Sequence, residues 1–285
     1  ATEADLSAEL VEKAWDVMFS ETRRWRNDVF GIYQPRIDFE KEGFVKHVKD
    51  TSLGDNEGFA HTWYEYVPES VKQSDKKVPL VIYFHGINCI ALYGAEQSGW
   101  AALAKRDGFI AVFPDPCIEE RWNVWDDRRL PSDMDFIMAL LKHLKETYPI
   151  DESRIYCYGH SLGGMMTQAL VCYLDGRFAA AAGTGCAVAM VPQVEHECET
   201  PMFVLMGEND LFGTSFESDA AQYFINLFTD YNHVSAEPTS AYRSGRFEHY
   251  IFANEDGAPM VRFTIADEKP HTATLDEGIL IFDYL

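Results

Sequence analysis

Residues 154–167, RIYCYGHSLGGMMT, constrain the fold of this chain more than any other stretch. A β-prone run at 154–158 enters the small-residue turn Gly159-His160-Ser161-Leu162-Gly163-Gly164, and a helix-compatible run leaves it. This is the G-x-S-x-G pattern of a strand–turn–helix elbow. So tight a turn leaves no room for side chains at its two flanking positions. Gly159 and Gly163 remove them, and Ser161 is left projecting from strained backbone. A helix starting just after Ser161 aims its free N–H groups and its positive dipole end at the serine oxygen, which favours an oxyanion there. An ordinary β–α turn would satisfy the same five residues, so the rest of the chain has to decide.

The flanking sequence reads as alternating strands and helices. Residues 80–84 (LVIYF) form a continuous apolar run, as suits a central parallel strand covered on both faces. Residues 109–113 (FIAVF), 178–188 and 201–206 (PMFVLM) are further strand candidates. Helical patterns fall at 94–106, 131–148, after the elbow to about 174, and at 218–229 and 275–285. Residues 247–252 and 260–265 are expected to pair around Glu255-Asp256-Gly257. The expected class is α/β, a mostly parallel central sheet with helices on both faces. Residues 1–75 read as an N-terminal extension packed on a main domain at 76–285: an amphipathic helix over 5–30, then edge-strand candidates at 44–48 and 62–67. Residues 68–77 read as a polar loop.

Composition narrows the function classes. The 285 residues carry a net charge of −22, which argues against nucleic acid or an anionic membrane surface as partner. No apolar run is long enough to span a membrane and no signal-peptide pattern is visible, so a soluble protein is expected. The first residue is Ala, which leaves cytoplasmic and secreted locations both open. Six cysteines include no C-x-x-C pair, so a zinc or thioredoxin-type site is not expected; no metal and no cofactor enters the expected chemistry. Cys157, Cys172 and Cys186 lie in apolar runs and read as buried thiols. Cys89 and Cys117 each follow a strand end, a placement that a disulfide between them would fit.

A serine hydroxyl is a weak nucleophile at neutral pH and needs a base, which in turn needs an orienting carboxylate. Asp210 stands just past the apolar strand at 201–206, in GENDLFG, and sites of open α/β sheets lie at the carboxyl ends of strands. Glu208 is its rival. Among the later histidines, His271 follows the last strand candidate and precedes the final helix, the place a base must occupy. His249 lies within a strand pattern and reads as structural, and His196 and His233 follow no strand end in the right order. His160 cannot reach around the elbow and reads as a wall of the site. Two N–H donors are needed for an oxyanion: that of Leu162, directly after the serine, and that of Ile87, in the loop after residues 80–84. Trp122 and Trp125 lie in a loop on the same side of the sheet. Two readings stand for them: a pocket wall for a sugar or aromatic acyl group, or caps on the core.

PLVIYFHG, SGWAALAKRDGFIAVFPDP, WNVW with SDMDFIMALL, and RIYCYGHSLGGMMT together resemble the feruloyl esterase, polyhydroxybutyrate depolymerase and acetyl-xylan esterase branch of the α/β-hydrolases. The resemblance covers 78–285 and is strongest over 79–168. It implies the α/β-hydrolase fold, Ser161 as nucleophile, Asp210 as acid, His271 as base, and an ester substrate, small or polysaccharide-linked. The oxyanion loop HGINCIALYG is longer and less glycine-rich than is common there. KPHTAT lacks the Gly before the histidine and the Trp-Pro after it. Both departures bear on acyl and polymer preference. The expected function is a serine carboxylic-ester hydrolase acting on feruloyl, cinnamoyl or acetyl esters of plant polysaccharide. Three alternatives stand beside it: a polyhydroxyalkanoate depolymerase-like esterase, a serine peptidase of the prolyl oligopeptidase type, and a non-catalytic binding module.

Overall fold

The computed structural model describes residues 37–50, 60–118, 121–124, 132–186, 199–211, 215–273 and 275–284. The helix expected over 5–30 lies outside them. Contact density divides the chain between Arg36 and Ile37, and the sheet and its helices belong to the unit from Ile37 onward.

Ten strands form one sheet: β1 (Phe44–Asp50), β2 (Ala60–Tyr66), β3 (Val78–Phe84), β4 (Ile110–Pro114), β5 (Ile150–His160), β6 (Ala180–Thr184), β7 (Met202–Asn209), β8 (Ser240–Ser244), β9 (Phe247–Ala253) and β10 (Pro259–Pro270). Their order is β1-β2-β4-β3-β5-β6-β7-β10-β9-β8. The neighbours from β4 to β10 pair parallel, while the strands beyond them at each edge pair antiparallel. The described helices are α1 (Glu69–Lys72), α2 (Ala91–Ser98), α3 (Trp100–Asp107), α4 (Asp133–Thr147), α5 (Leu162–Tyr173), α6 (Asp219–Tyr231) and α7 (Leu275–Phe282). Among the described residues no helix is long and apolar enough to cross a membrane.

Hydrophobic burial explains why the middle strands sit where they do. Leu80, Val81, Ile82, Tyr83 and Phe84 of β3 are all buried, as a strand covered on both faces requires. On one face Trp100 packs against Phe109, Tyr158 and Phe282, joining α3, β5 and α7. Large aromatics of this kind each remove roughly 150–250 Å² from water and dominate the core. β1 and β2 are hydrogen-bonded into the same sheet, so the sheet begins well before the boundary expected at 75.

The structure differs from the sequence expectations in four further places. The helix expected over 94–106 is two helices, which meet at Gly99 in left-handed backbone. The polar loop at 68–77 contains the short α1. Every residue of β8 is exposed, Tyr242 at 48%, and the strand carries no apolar alternation that could announce it. Cys89 and Cys117 are not joined by a disulfide. Cys117 Sγ, in the loop after β4, faces His61 Nδ1 of β2 at 3.4 Å instead, in a buried contact.

His249 is the buried histidine of β9. Its Nδ1 lies 2.9 Å from Thr264 Oγ1 and 3.1 Å from an Arg262 nitrogen. Burial first, and the Arg262 charge second, push its imidazole down to about 4. In the unfolded chain it titrates near ~6.5. Between those values the unfolded state binds the extra proton, so stability is full above ~6.5 and is lost as pH falls towards 4. The expected loss from this group is roughly 2–3 kcal/mol. Urea unfolding at pH 7 and pH 4 should show that much less acid sensitivity in His249→Asn than in the wild type. Equal sensitivity in the two proteins would contradict it.

Candidate active site

The elbow forms at the end of β5. Ser161 has φ 55° and ψ −121°, a conformation that costs a non-glycine residue ~1–3 kcal/mol and survives only where its surroundings impose it. The surroundings are backbone. A β-carbon on Gly163 would lie 2.0 Å from Phe84 O, and one on Gly159 would lie 2.2 Å from the Gly163 carbonyl. β3 and α5 therefore close on the turn from both sides, and Ser161 N–H donates to Thr184 O at 2.9 Å across the end of β6.

Two loops bring partners to that serine. β7 ends at Asn209, and Asp210 follows with its side chain wholly buried. β10 ends at Pro270, and His271 stands at the apex of a three-residue turn closed by Thr272 N–H to Pro270 O at 2.8 Å. His271 Nδ1 is 3.0 Å from Asp210 Oδ1, and Nε2 is 2.9 Å from Ser161 Oγ. A carboxylate only accepts, so the imidazole proton sits on Nδ1 and the Nε2 lone pair faces the serine hydroxyl. The rival Glu208 is turned away and accepts from Glu268 N–H at 2.9 Å.

His160 packs beside this line, its ring centroid 4.9 Å from that of His271. Burial, then the His271 and Lys269 charges, hold its imidazole well below the usual histidine range. It is neutral at any physiological pH.

Leu162 is the first residue of α5, so its N–H has no acceptor within the helix. Ile87 follows Gly86, whose backbone runs past the serine: a β-carbon there would lie 3.3 Å from Ser161 Cβ. The loop that carries Ile87 is braced from below. Trp122 Nε1–H donates to His85 O at 2.9 Å, His85 Nε2 lies 3.3 Å from Asp115 Oδ1, and Ala91 N–H donates to the same Asp115 oxygen at 2.7 Å. Trp122 is thus a correction to one of its two readings. Its indole is 1% exposed and packs edge-on to Phe84, so it caps the core and holds the loop instead of walling a pocket. Trp125 lies outside the described residues.

Sequence reasoning passes over Asp133, which holds the Trp122 loop. Its buried carboxylate accepts from Cys117 N–H at 2.8 Å and Asn123 N–H at 2.6 Å. The only sequence signal is a Ser-Asp pair that also reads as a helix start, and Ser132 does cap α4 through Asp135 N–H.

A serine, an imidazole and a buried carboxylate linked in this order can carry out nucleophilic acyl transfer. The family model for the prolyl oligopeptidase family matches residues 101–199. The chain is 26% identical over 124 residues to a bifunctional acetylxylan esterase/xylanase of Neocallimastix patriciarum, 44% of this chain and 18% of that protein. It is 33% identical over 111 residues to feruloyl esterase B of Piromyces equi, 38% of this chain and 21% of that protein. It therefore spans well under two thirds of either relative. Among solved structures, the acetyl xylan esterase from Aspergillus awamori superposes with a TM-score of 0.68 at 16% identity, over 85% of this chain and 100% of that one.

Proposed function

For a chain with the α/β-hydrolase fold, similar in sequence to acetylxylan and feruloyl esterases, we propose the activity of a serine carboxylic-ester hydrolase. Ser161 Oγ attacks the ester carbonyl while His271 Nε2 takes its proton. Asp210 keeps the imidazole in the right tautomer and balances the imidazolium that forms. The N–H groups of Leu162 and Ile87 receive the developing oxyanion, each worth roughly 3–4 kcal/mol of transition-state stabilisation. His271 returns the proton to the leaving alcohol, and water, activated by the same imidazole, releases the acid from the acyl-enzyme. The observation that carries this reading is the pair of hydrogen bonds through His271, 2.9 Å to Ser161 and 3.0 Å to Asp210. The substrate class we favour is the acetyl or feruloyl ester of a plant polysaccharide.

Labelling with a fluorophosphonate followed by peptide mapping tests the nucleophile: modification is expected on Ser161 and nowhere else. A protein that stays unlabelled at high reagent would be the non-catalytic module. A panel of aryl acetate, methyl ferulate and hydroxyalkanoate esters then tests the substrate class. The prolyl oligopeptidase family match favours one second reading, a serine peptidase, and faster cleavage of aminoacyl amides than of aryl esters would establish it.

A further inference from the structure

Immediately before His271 the chain does something costly. β10 departs from register with β7 between Ala266 and Pro270, and Glu268 in that bulge has φ 53°. Bulges beside active sites re-aim side chains, and the residue sent inward here is a lysine. Lys269 is 1% exposed, one of the largest fully buried side chains among the described residues. Its Nζ donates to Pro270 O at 3.2 Å and to Thr272 O at 2.5 Å, the two carbonyls that flank His271. It also lies 3.6 Å from Glu277 Oε1, on α7.

Glu277 is itself wholly buried. Its second oxygen is within 3.2 Å of Thr184 Oγ1, and Thr184 is the residue whose carbonyl accepts the Ser161 N–H. Arg246, at the surface, approaches Glu277 Oε1 at 3.8 Å. An ammonium without its carboxylate, or the reverse, would be strongly disfavoured at this depth, whereas a plain apolar contact would have held α7 to the sheet at no electrostatic cost. The carbonyl contacts give the charged pair a task that an apolar contact could not perform.

We propose that Lys269 and Glu277 are positioning residues for His271: a buried ion pair that pins both ends of the turn carrying the imidazole and, through Thr184, ties that turn to the backbone that holds Ser161. The inference rests on the reading of His271 as general base. Small displacements of a base cost the chemical step far more than they cost substrate binding. Loss of the pair should therefore appear in kcat and leave KM nearly alone.

The test uses p-nitrophenyl acetate with four proteins: wild type, Lys269→Met, Glu277→Gln and the double variant Lys269→Met/Glu277→Leu. Each single variant is expected to lose about 10–100-fold in kcat with KM within about threefold. Each single variant also takes from a buried charge its oppositely charged neighbour within the pair, so both should melt lower, and either could fail to fold. The double variant removes both buried charges together. It should regain most of the lost Tm and still turn over 10–100-fold slowly, because no ammonium then donates to the Pro270 and Thr272 carbonyls. Recovery of kcat together with Tm would make the pair merely structural and overturn the proposal, as would single variants that fold and keep wild-type kcat. A wild type that neither hydrolyses the ester nor takes up a fluorophosphonate would overturn the hydrolase reading itself. An active wild type with unimpaired variants would overturn only the positioning role.

Discussion

Ser161→Ala is expected to lower kcat for aryl ester hydrolysis by roughly 10⁴–10⁶-fold while the protein stays folded. The size follows from what the hydroxyl does. Without Oγ no acyl-enzyme forms, and the line from Asp210 through His271 no longer reaches a nucleophile. What survives is water attack at a carbonyl still held by the N–H groups of Leu162 and Ile87, which accounts for the residual rate such variants retain. The fold should hardly notice. Alanine keeps the β-carbon, so it meets the same strain at φ 55°, and the backbone bond from residue 161 to Thr184 O is unchanged. The contact given up is the 2.9 Å bond to His271, a partly exposed side chain, worth about 1 kcal/mol. Steady-state kinetics and a thermal melt check both halves. Turnover within tenfold of wild type in a protein of unchanged Tm would remove Ser161 from the mechanism.

How much of the fold and the site is legible in the sequence follows a physical division. The elbow is a local object. Its glycines, its serine and the strand and helix around it are contiguous, so the sequence displays the whole constraint at once. Asp210 and His271 are not contiguous with it, yet each follows an apolar run that could only be a buried strand, and strand ends in a parallel sheet share one side. Lys269 and Glu277 offer no such handle. A lysine before Pro-His and a glutamate in an amphipathic helix both read as solvated. Only the bulge in β10, which depends on how β7 lies beside it, turns Lys269 inward. Trp122 shows the opposite difficulty. Its loop follows a strand end and so reads as lying on the active-site side, but which way an indole turns depends on the carbonyl of His85, 37 residues away in sequence. The edge strand β8 escapes the sequence because it buries little, and burial is what writes a strand into a sequence.

The second large effect is on stability. Gly163→Ala should cost ~4 kcal/mol or more, a large share of the ~5–15 kcal/mol that holds a domain of this kind together. Overpacking in a core usually costs only ~1–3 kcal/mol, because a neighbouring side chain can swing aside. Here the neighbours are main chain. The new methyl would sit 2.0 Å from Phe84 O, 2.5 Å from Phe84 C and 2.6 Å from His85 O. Phe84 cannot retreat, since β3 is paired to β5 there through Gly159. His85 O is held by the Trp122 indole, so moving it would also disturb the loop that carries Ile87. Gly245→Ala is the control. Gly245 has φ 59°, so alanine there meets backbone strain of ~1–2 kcal/mol, but its β-carbon would have nothing within 4 Å. Urea unfolding of the two variants side by side separates strain from overlap: a modest shift is expected for residue 245 and a collapse of the transition, or no folded protein, for residue 163. Equal shifts would mean that β3 and α5 can part at the elbow, and that the tight closure around Ser161 does not hold the nucleophile in place.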